Sequence, residues 1–202
     1  LGIVPKYHIP NYNEYYEGRR FTPCFEDNIE IELFGQIVLF GRKVVFACQN
    51  LPSFTLGVEI CEDVWATIPP SSHLALKGAD VIFNMSADTE NISKHQYLRS
   101  LLAQQSARCL AGYVFASSGF GESTTDVVFA GNALIYENGT LLAASERFSF
   151  EEQLVVSEID IERLRGERMV NTTFAASVRT YKDYPVKRIP IEMTKANEDF
   201  TL

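Results

Sequence analysis

Three short runs of apolar and β-branched residues, Phe54–Ile60, Ala79–Asn84 and Tyr113–Ala116, are separated by two segments of helical character, and this alternation restricts the fold more than any other feature of the chain. None of the runs shows the polar alternation of a strand with one wet face, so each reads as a buried strand. Pro69-Pro70-Ser71 opens a short helix through Lys77 that Gly78 closes. From about Ser93 to Leu110 the residues Leu98, Leu101, Leu102, Ala107 and Leu110 mark one helical face, ended at Gly112. Strands alternating with helices imply βαβ-type units with helices packed on a sheet, an α/β fold.

The flanking segments differ in character. Pro5, Pro10, Asn11 and Asn13 argue against regular structure until about Glu14. Gln36–Phe40, Gly41-Arg42-Lys43 and Val44–Cys48 read as a hairpin with a short turn. Beyond Tyr113–Ala116, the segments Val127–Phe129, Ala133–Tyr136, Leu141–Ala143 and Gln153–Ile159 look like meandering strands, and Ile161–Met169 like a charged helix. Periodicity fades from Asn171, and Tyr181 to Leu202 resembles a linker or an arm lying on a partner. No internal repeat or low-complexity tract is present.

At 202 residues, 46% of them hydrophobic and 22% charged, the chain is of a size that buries roughly 70% of its unfolded surface. A small disulfide scaffold is thereby excluded. The net charge of −8 disfavours a broad nucleic-acid or anionic-membrane surface. Cys24, Cys48, Cys61 and Cys109 form no CxxC pair and lack nearby His for a metal finger, so they read as reduced thiols and no metal is expected. No apolar run approaches the ~20 residues of a membrane span, and no basic region precedes an apolar one at the start. The expected location is cytoplasmic.

The strongest chemical signal is Gly57-Val58-Glu59-Ile60-Cys61-Glu62-Asp63-Val64-Trp65, a buried strand delivering a cysteine to its C-terminal edge, where ligands bind in sheets flanked by helices. A cysteine so placed is a nucleophile if a cation or a base activates it, and an inert buried thiol otherwise. Glu59, Glu62 and Asp63 oppose a thiolate, so a working one needs a cation. Lys6 is the candidate; the alternative is an exposed loop lysine.

Val4-Pro5-Lys6 followed by Pro10-Asn11-Tyr12, Glu14-Tyr15-Tyr16-Glu17, Arg19 and Phe21 resembles the lysine segment of the nitrilase (carbon–nitrogen hydrolase) superfamily, and Gly57–Trp65 resembles its cysteine elbow. More narrowly, Asn84-Met85-Ser86-Ala87-Asp88, Gln105–Cys109, Gly119-Phe120-Gly121-Glu122-Ser123-Thr124-Thr125-Asp126 and Tyr136-Glu137-Asn138-Gly139 resemble the glutaminase domains of the glutamine-dependent NAD synthetase family. The resemblance implies part of the superfamily's α-β-β-α sandwich, a partial carbon–nitrogen hydrolase (glutamine amidotransferase) domain over 1–170, and an arm or linker over 171–202 towards an absent synthetase domain.

It also implies a chemistry. Cys61 attacks the side-chain amide of glutamine, Lys6 and the N–H after Cys61 stabilise the oxyanion, ammonia leaves, and a carboxylate-assisted water releases glutamate. Glu17 belongs beside Lys6 and the substrate amide. Tyr12 and Tyr15 wall the glutamine slot together with Glu62, although core packing is the plain alternative for both rings. Asp88 suits the ammonium and Lys94 the carboxylate of the bound amino acid; a helix cap and a solvated lysine are the alternatives. Asp88 departs from members that carry Ser there.

The family's triad glutamate lies upstream of the lysine, and no residue here matches it. Glu14 and Glu17 follow the lysine and belong to another motif. The Leu1-Gly2-Ile3-Val4 opening therefore reads as a cut through a larger enzyme, weakly active or inactive alone. A Ser-Gly-Gly-x-Asp-Ser signature and a GxxxxGK[ST] loop are absent, so ATP and the NAD precursor are expected only on the synthetase domain and no cofactor on this chain. Expected partners are glutamine, that domain and further copies in a homo-oligomer. A free-standing amidase or carbamoylase and a non-catalytic assembly fragment remain the competing readings.

Overall fold

The computed structural model describes residues 1–25, 27–51, 54–122 and 126–193. The chain runs through β1 (Gly2–Ile3), β2 (Ile29–Leu33), β3 (Gln36–Phe40), β4 (Val44–Cys48), β5 (Thr55–Ile60), α1 (Pro70–Leu76), β6 (Val81–Ser86), α2 (Lys94–Cys109), β7 (Gly112–Ser117), β8 (Ala133–Glu137), β9 (Thr140–Ala144), α3 (Ile161–Val170), α4 (Thr172–Thr180) and β10 (Lys187–Ile191). Seven strands form one sheet in the order β10-β4-β5-β6-β7-β8-β9, and β1-β3-β2 form a second. At the centre of the larger sheet β5, β6 and β7 are parallel neighbours. These are the three apolar runs, with α1 and α2 as their crossovers.

Both crossover helices pack on the same face of that sheet. Leu74 of α1 and Leu98 and Leu102 of α2 meet Ile82, Tyr113, Phe115, Leu134 and Tyr136 in one buried cluster. Gly57 leaves room there, because a Cβ would stand 3.1 Å from Leu74 Cδ1 and 3.0 Å from Ile82 Cδ1. The opposite face holds Leu56, Val58, Phe83 and Val114 half-buried and Met85 exposed. Strands apolar on both sides thus find only one side fully covered by the described residues.

Gln36–Phe40 and Val44–Cys48 are not a hairpin: β3 pairs with β2 through a turn at Phe34-Gly35, where φ is 51° and 72°, while β4 lies in the other sheet beside β5 and β10. Asn28 is the physical cause. Its amide donates to the Lys43 carbonyl at 2.7 Å and accepts from the Lys43 N–H at 3.2 Å, and it presses on Gly41, so the partner's place in the turn is already taken. Gln153–Ile159 joins no ladder. Instead Val155, Val156 and Ile159 lie with Phe83, Val114 and Ile135 around one cavity, and Ile159 fills the space above Gly112. Val127–Phe129 contributes a single bridge, Thr89 to Phe129.

The faint periodicity after Asn171 conceals α4 and β10. Asn171 caps α4 by accepting from the Phe174 N–H at 2.8 Å. β10 runs parallel to β4 at the sheet edge, where Pro190 is tolerated, and buries Ile189. Residues 194–202 of the arm, and Ser123–Thr125 of the Gly-Glu-Ser-Thr-Thr-Asp stretch, lie outside the described residues. Among the described residues no helix is long and apolar enough to cross a membrane, no disulfide forms, and no cluster of His, Cys, Asp and Glu would hold a metal ion.

Candidate active site

Cys61 begins a 3-10 turn, Cys61–Trp65, directly after β5. Its φ of 50° places a non-glycine residue in the left-handed region, as in strand-to-turn elbows that thrust a nucleophile out of a sheet edge. The thiol-bearing residue is buried. Its N–H donates to Asn84 Oδ1 at 3.0 Å, from the neighbouring strand β6. That donor is therefore committed to holding the elbow, and any oxyanion donor on this turn must follow it in sequence.

Behind the elbow runs a buried polar relay. Asn84 Nδ2 donates to the Tyr113 hydroxyl at 3.2 Å, Tyr113 donates to Glu59, and the other Glu59 oxygen accepts the Ser71 N–H at 2.8 Å. Burial pushes the Glu59 carboxyl up to about 7, although the Tyr113 and Ser71 donors favour its ionised form. An unfolded glutamate titrates near ~4.3, so between these values the folded state binds more protons and stability falls as pH rises. Unfolding free energy is expected to drop between pH 5 and pH 8 by about 2–3 kcal/mol more in the wild type than in Glu59→Gln. Denaturant titrations at the two pH values check this; equal slopes in both proteins would contradict it.

On the N-terminal loop, Lys6 Nζ contacts Glu17 Oε2 at 2.6 Å. The loop is closed by its own backbone: the Tyr15 N–H donates to the Tyr12 carbonyl at 2.9 Å and the Glu17 N–H to the Pro10 carbonyl at 3.2 Å. Glu17 lines two cavities, one of about 190 Å³ shared with Tyr15, Ala87 and Thr89, the other of about 380 Å³ shared with Lys6, Ile9 and Cys24. The sequence pairing of Lys6 with Glu17 is thus a contact.

The remaining candidates fall into two linked groups. Tyr12 donates to Glu62 Oε1 at 2.5 Å, which brings the loop onto the elbow. Burial, the Glu62 carboxylate and the Cys61 thiol all raise the Tyr12 phenol, so it stays a donor. Asp88 and Lys94, assigned separate ends of an amino acid, are bonded to each other at 2.7 Å. Burial lifts the Asp88 carboxyl while Lys94 opposes it; burial is also the largest influence on the Lys94 ammonium and works against it, but the bond and charge of Asp88 together with Tyr15 outweigh it and the net direction is up. Lys94 also donates at 3.3 Å to the Tyr15 hydroxyl and to Thr89 Oγ1, with its ammonium 5.4 Å from the Trp65 ring centroid.

Thr89 was missed in the sequence. It joins Tyr15 at 2.8 Å to Glu14 at 2.9 Å, and Asn91 donates to the same Glu14 oxygen at 3.0 Å. Its only signal was its place immediately after Asp88. Asn84 was visible as a polar residue ending an apolar run, yet its bond to the cysteine depends on the strand register Glu59 to Asn84.

The family model for carbon-nitrogen hydrolases matches residues 2–168. The glutamine-dependent NAD(+) synthetase of Mycobacterium bovis is 44% identical over 183 residues, covering 91% of this chain. This chain spans only 27% of that relative's length. Among solved structures, a glutamine-dependent NAD(+) synthetase from Cytophaga hutchinsonii superposes with a TM-score of 0.63 at 25% identity, over 76% of this chain and 24% of that one. A carbon-nitrogen hydrolase from Helicobacter pylori gives 0.63 at 19% identity, over 91% of this chain and 61% of that one, which speaks to the fold. Every strand of the two sheets except the edge strand β10, together with the elbow and the lysine loop, falls inside the matched span, and on that ground the chain belongs to the carbon-nitrogen hydrolase family.

Proposed function

We propose that this chain carries the nucleophile, Cys61, with which a larger enzyme hydrolyses the side-chain amide of glutamine, and that the ammonia serves glutamine-dependent NAD synthesis. The observation that carries the reading is the ion pair of buried Asp88 with half-buried Lys94 beside Tyr15, on the strand edge next to the Cys61 elbow. A zwitterion seated there exchanges one ion pair for two, its ammonium on Asp88 and its carboxylate on Lys94. Tyr12 and Glu62 close the side nearer the thiol.

Cys61 Sγ attacks the amide carbon. Lys6 and the N–H that follows Cys61 stabilise the oxyanion, while Glu17 holds the Lys6 ammonium in place. Collapse breaks the C–N bond, the nitrogen takes a proton and leaves as ammonia, and a glutamyl thioester remains on Cys61. Water then adds to the thioester with a carboxylate as general base, releasing glutamate and restoring the thiol. ATP and the NAD precursor belong to a synthetase domain and not to this chain, and the working assembly is a cytoplasmic homo-oligomer.

Ammonia release by the complete gene product from glutamine, set against simple aliphatic amides, tests the reading. Fast release from glutamine supports it; release confined to aliphatic amides would replace it with a general amidase. Lys94→Ala is expected to raise KM for glutamine by about ten- to a hundredfold with a smaller change in kcat, the loss of one charge-assisted contact. Steady-state kinetics at saturating glutamine separates the two.

A further inference from the structure

We infer that Asp63 is a positioning residue that clamps the lysine loop to the cysteine elbow and so fixes where Lys6 stands relative to Cys61. The inference rests on the amide-hydrolysis reading above. Asp63 sits in the turn after Cys61 and is buried to 2% exposure. Its Oδ2 accepts the N–H of Ile60, the residue before the cysteine, at 2.9 Å. Its Oδ1 accepts the His8 N–H at 3.2 Å and contacts His8 Nδ1 at 2.7 Å. An ionised carboxylate only accepts, so Nδ1 carries the proton in that contact.

A role confined to capping the turn would explain the Ile60 bond alone. The two bonds to His8 have no part in the turn, because His8 lies on the N-terminal loop, two residues after Lys6. One buried carboxylate therefore grips both segments, one residue from the thiol on one side and two from the ammonium on the other. No other described hydrogen bond ties residues 6–10 to residues 57–63, whereas Tyr12 with Glu62 makes a second link farther along the loop. Since displacing reacting groups by about 1 Å costs roughly a hundredfold in rate, such a clamp acts on kcat and leaves glutamine binding by Asp88 and Lys94 in place.

The test labels Cys61 of the complete gene product with a diazo-ketone analogue of glutamine and measures kcat and KM alongside. Asp63→Asn, which turns one acceptor into a donor facing an N–H, is expected to slow labelling and lower kcat by about ten- to a hundredfold, with KM within about threefold. His8→Ala removes only the side-chain arm of the clamp and is expected to cost about three- to tenfold, with His8→Asn, whose amide donates from a similar position, restoring most of it. The Asp63→Asn and His8→Ala losses are expected to be non-additive, because they share one bond. If Asp63→Asn does not fold, the two His8 variants decide. Wild-type rates in folded Asp63→Asn, or a His8→Ala loss that His8→Asn fails to rescue, would overturn the clamp while the hydrolase reading stands. No labelling of Cys61 in the wild type would overturn the hydrolase reading and the clamp with it.

Discussion

Replacing Cys61 by alanine is expected to lower glutamine-dependent ammonia release by at least about 10⁴-fold while leaving glutamine binding within a few-fold of wild type. The asymmetry follows from how the site is built. The proposed seat of the amino-acid head is Asp88 and Lys94, and the Lys94 contacts run to Asp88, Tyr15 and Thr89 and not to the thiol. The elbow itself is held by the Cys61 N–H on Asn84, a main-chain contact that alanine keeps. Alanine also carries a Cβ, so the positive φ is no more strained than before. Binding calorimetry beside steady-state kinetics reads both quantities; loss of binding together with turnover would mean that the cysteine is a structural member of the pocket.

The second large effect is on stability. Asp80→Ala is expected to destabilise the fold by about 3–5 kcal/mol, because it strands a buried charge. Asp80 is 1% exposed and receives Arg165 Nε and Nη2, each at 2.8 Å, as well as the Thr55 N–H at 2.9 Å. Arg168 lies 3.7 Å away and spends its other donors on the carbonyls of Ala79, Leu110 and Cys109. Burial drives the Arg168 guanidinium down and Asp80 is the first group opposing that drift. Without Asp80, α3 loses its bidentate anchor to the start of β6 while Arg168 stays enclosed. Urea unfolding with a constant m-value measures the loss; a change below about 1 kcal/mol would show that the arginines find other partners.

The parts of this architecture that were legible in the sequence are those decided by local pattern. The β5-α1-β6-α2-β7 core announces itself through apolar runs and through Gly78 and Pro70 at helix ends, and the elbow cysteine through its place after one of those runs. What was not legible depends on side chains meeting across long separations. The apparent hairpin at Gly41 failed because Asn28, far from obvious as a turn breaker, occupies the turn of the two strands. β10 was hidden because an edge strand with a proline and one buried isoleucine carries almost no periodic signal. Lys6 with Glu17 was anticipated by resemblance, whereas the Thr89 junction and the Asp63 grip on His8 required the loop to fold back first.

Electrostatics at the elbow also reads differently in three dimensions. Glu59, Glu62 and Asp63 looked like three charges set against a thiolate, yet each carboxylate is turned to a donor of its own. Glu59 takes Tyr113 and Ser71, Glu62 takes Tyr12, and Asp63 takes Ile60 and His8. Carboxylates satisfied in this way hold the scaffold around the cysteine, which leaves Lys6 as the cation proposed to act on the reaction.

In the proposed reaction Cys61 forms a covalent bond with the glutamyl group of glutamine. Acid-quenching the complete gene product during turnover and mapping its peptides by mass spectrometry tests it directly. A glutamyl group is expected on the peptide containing Cys61, absent from Cys24, Cys48 and Cys109 and lost in Cys61→Ala. Ammonia release at full rate with no glutamyl adduct on any cysteine, or an adduct on another cysteine, would contradict it.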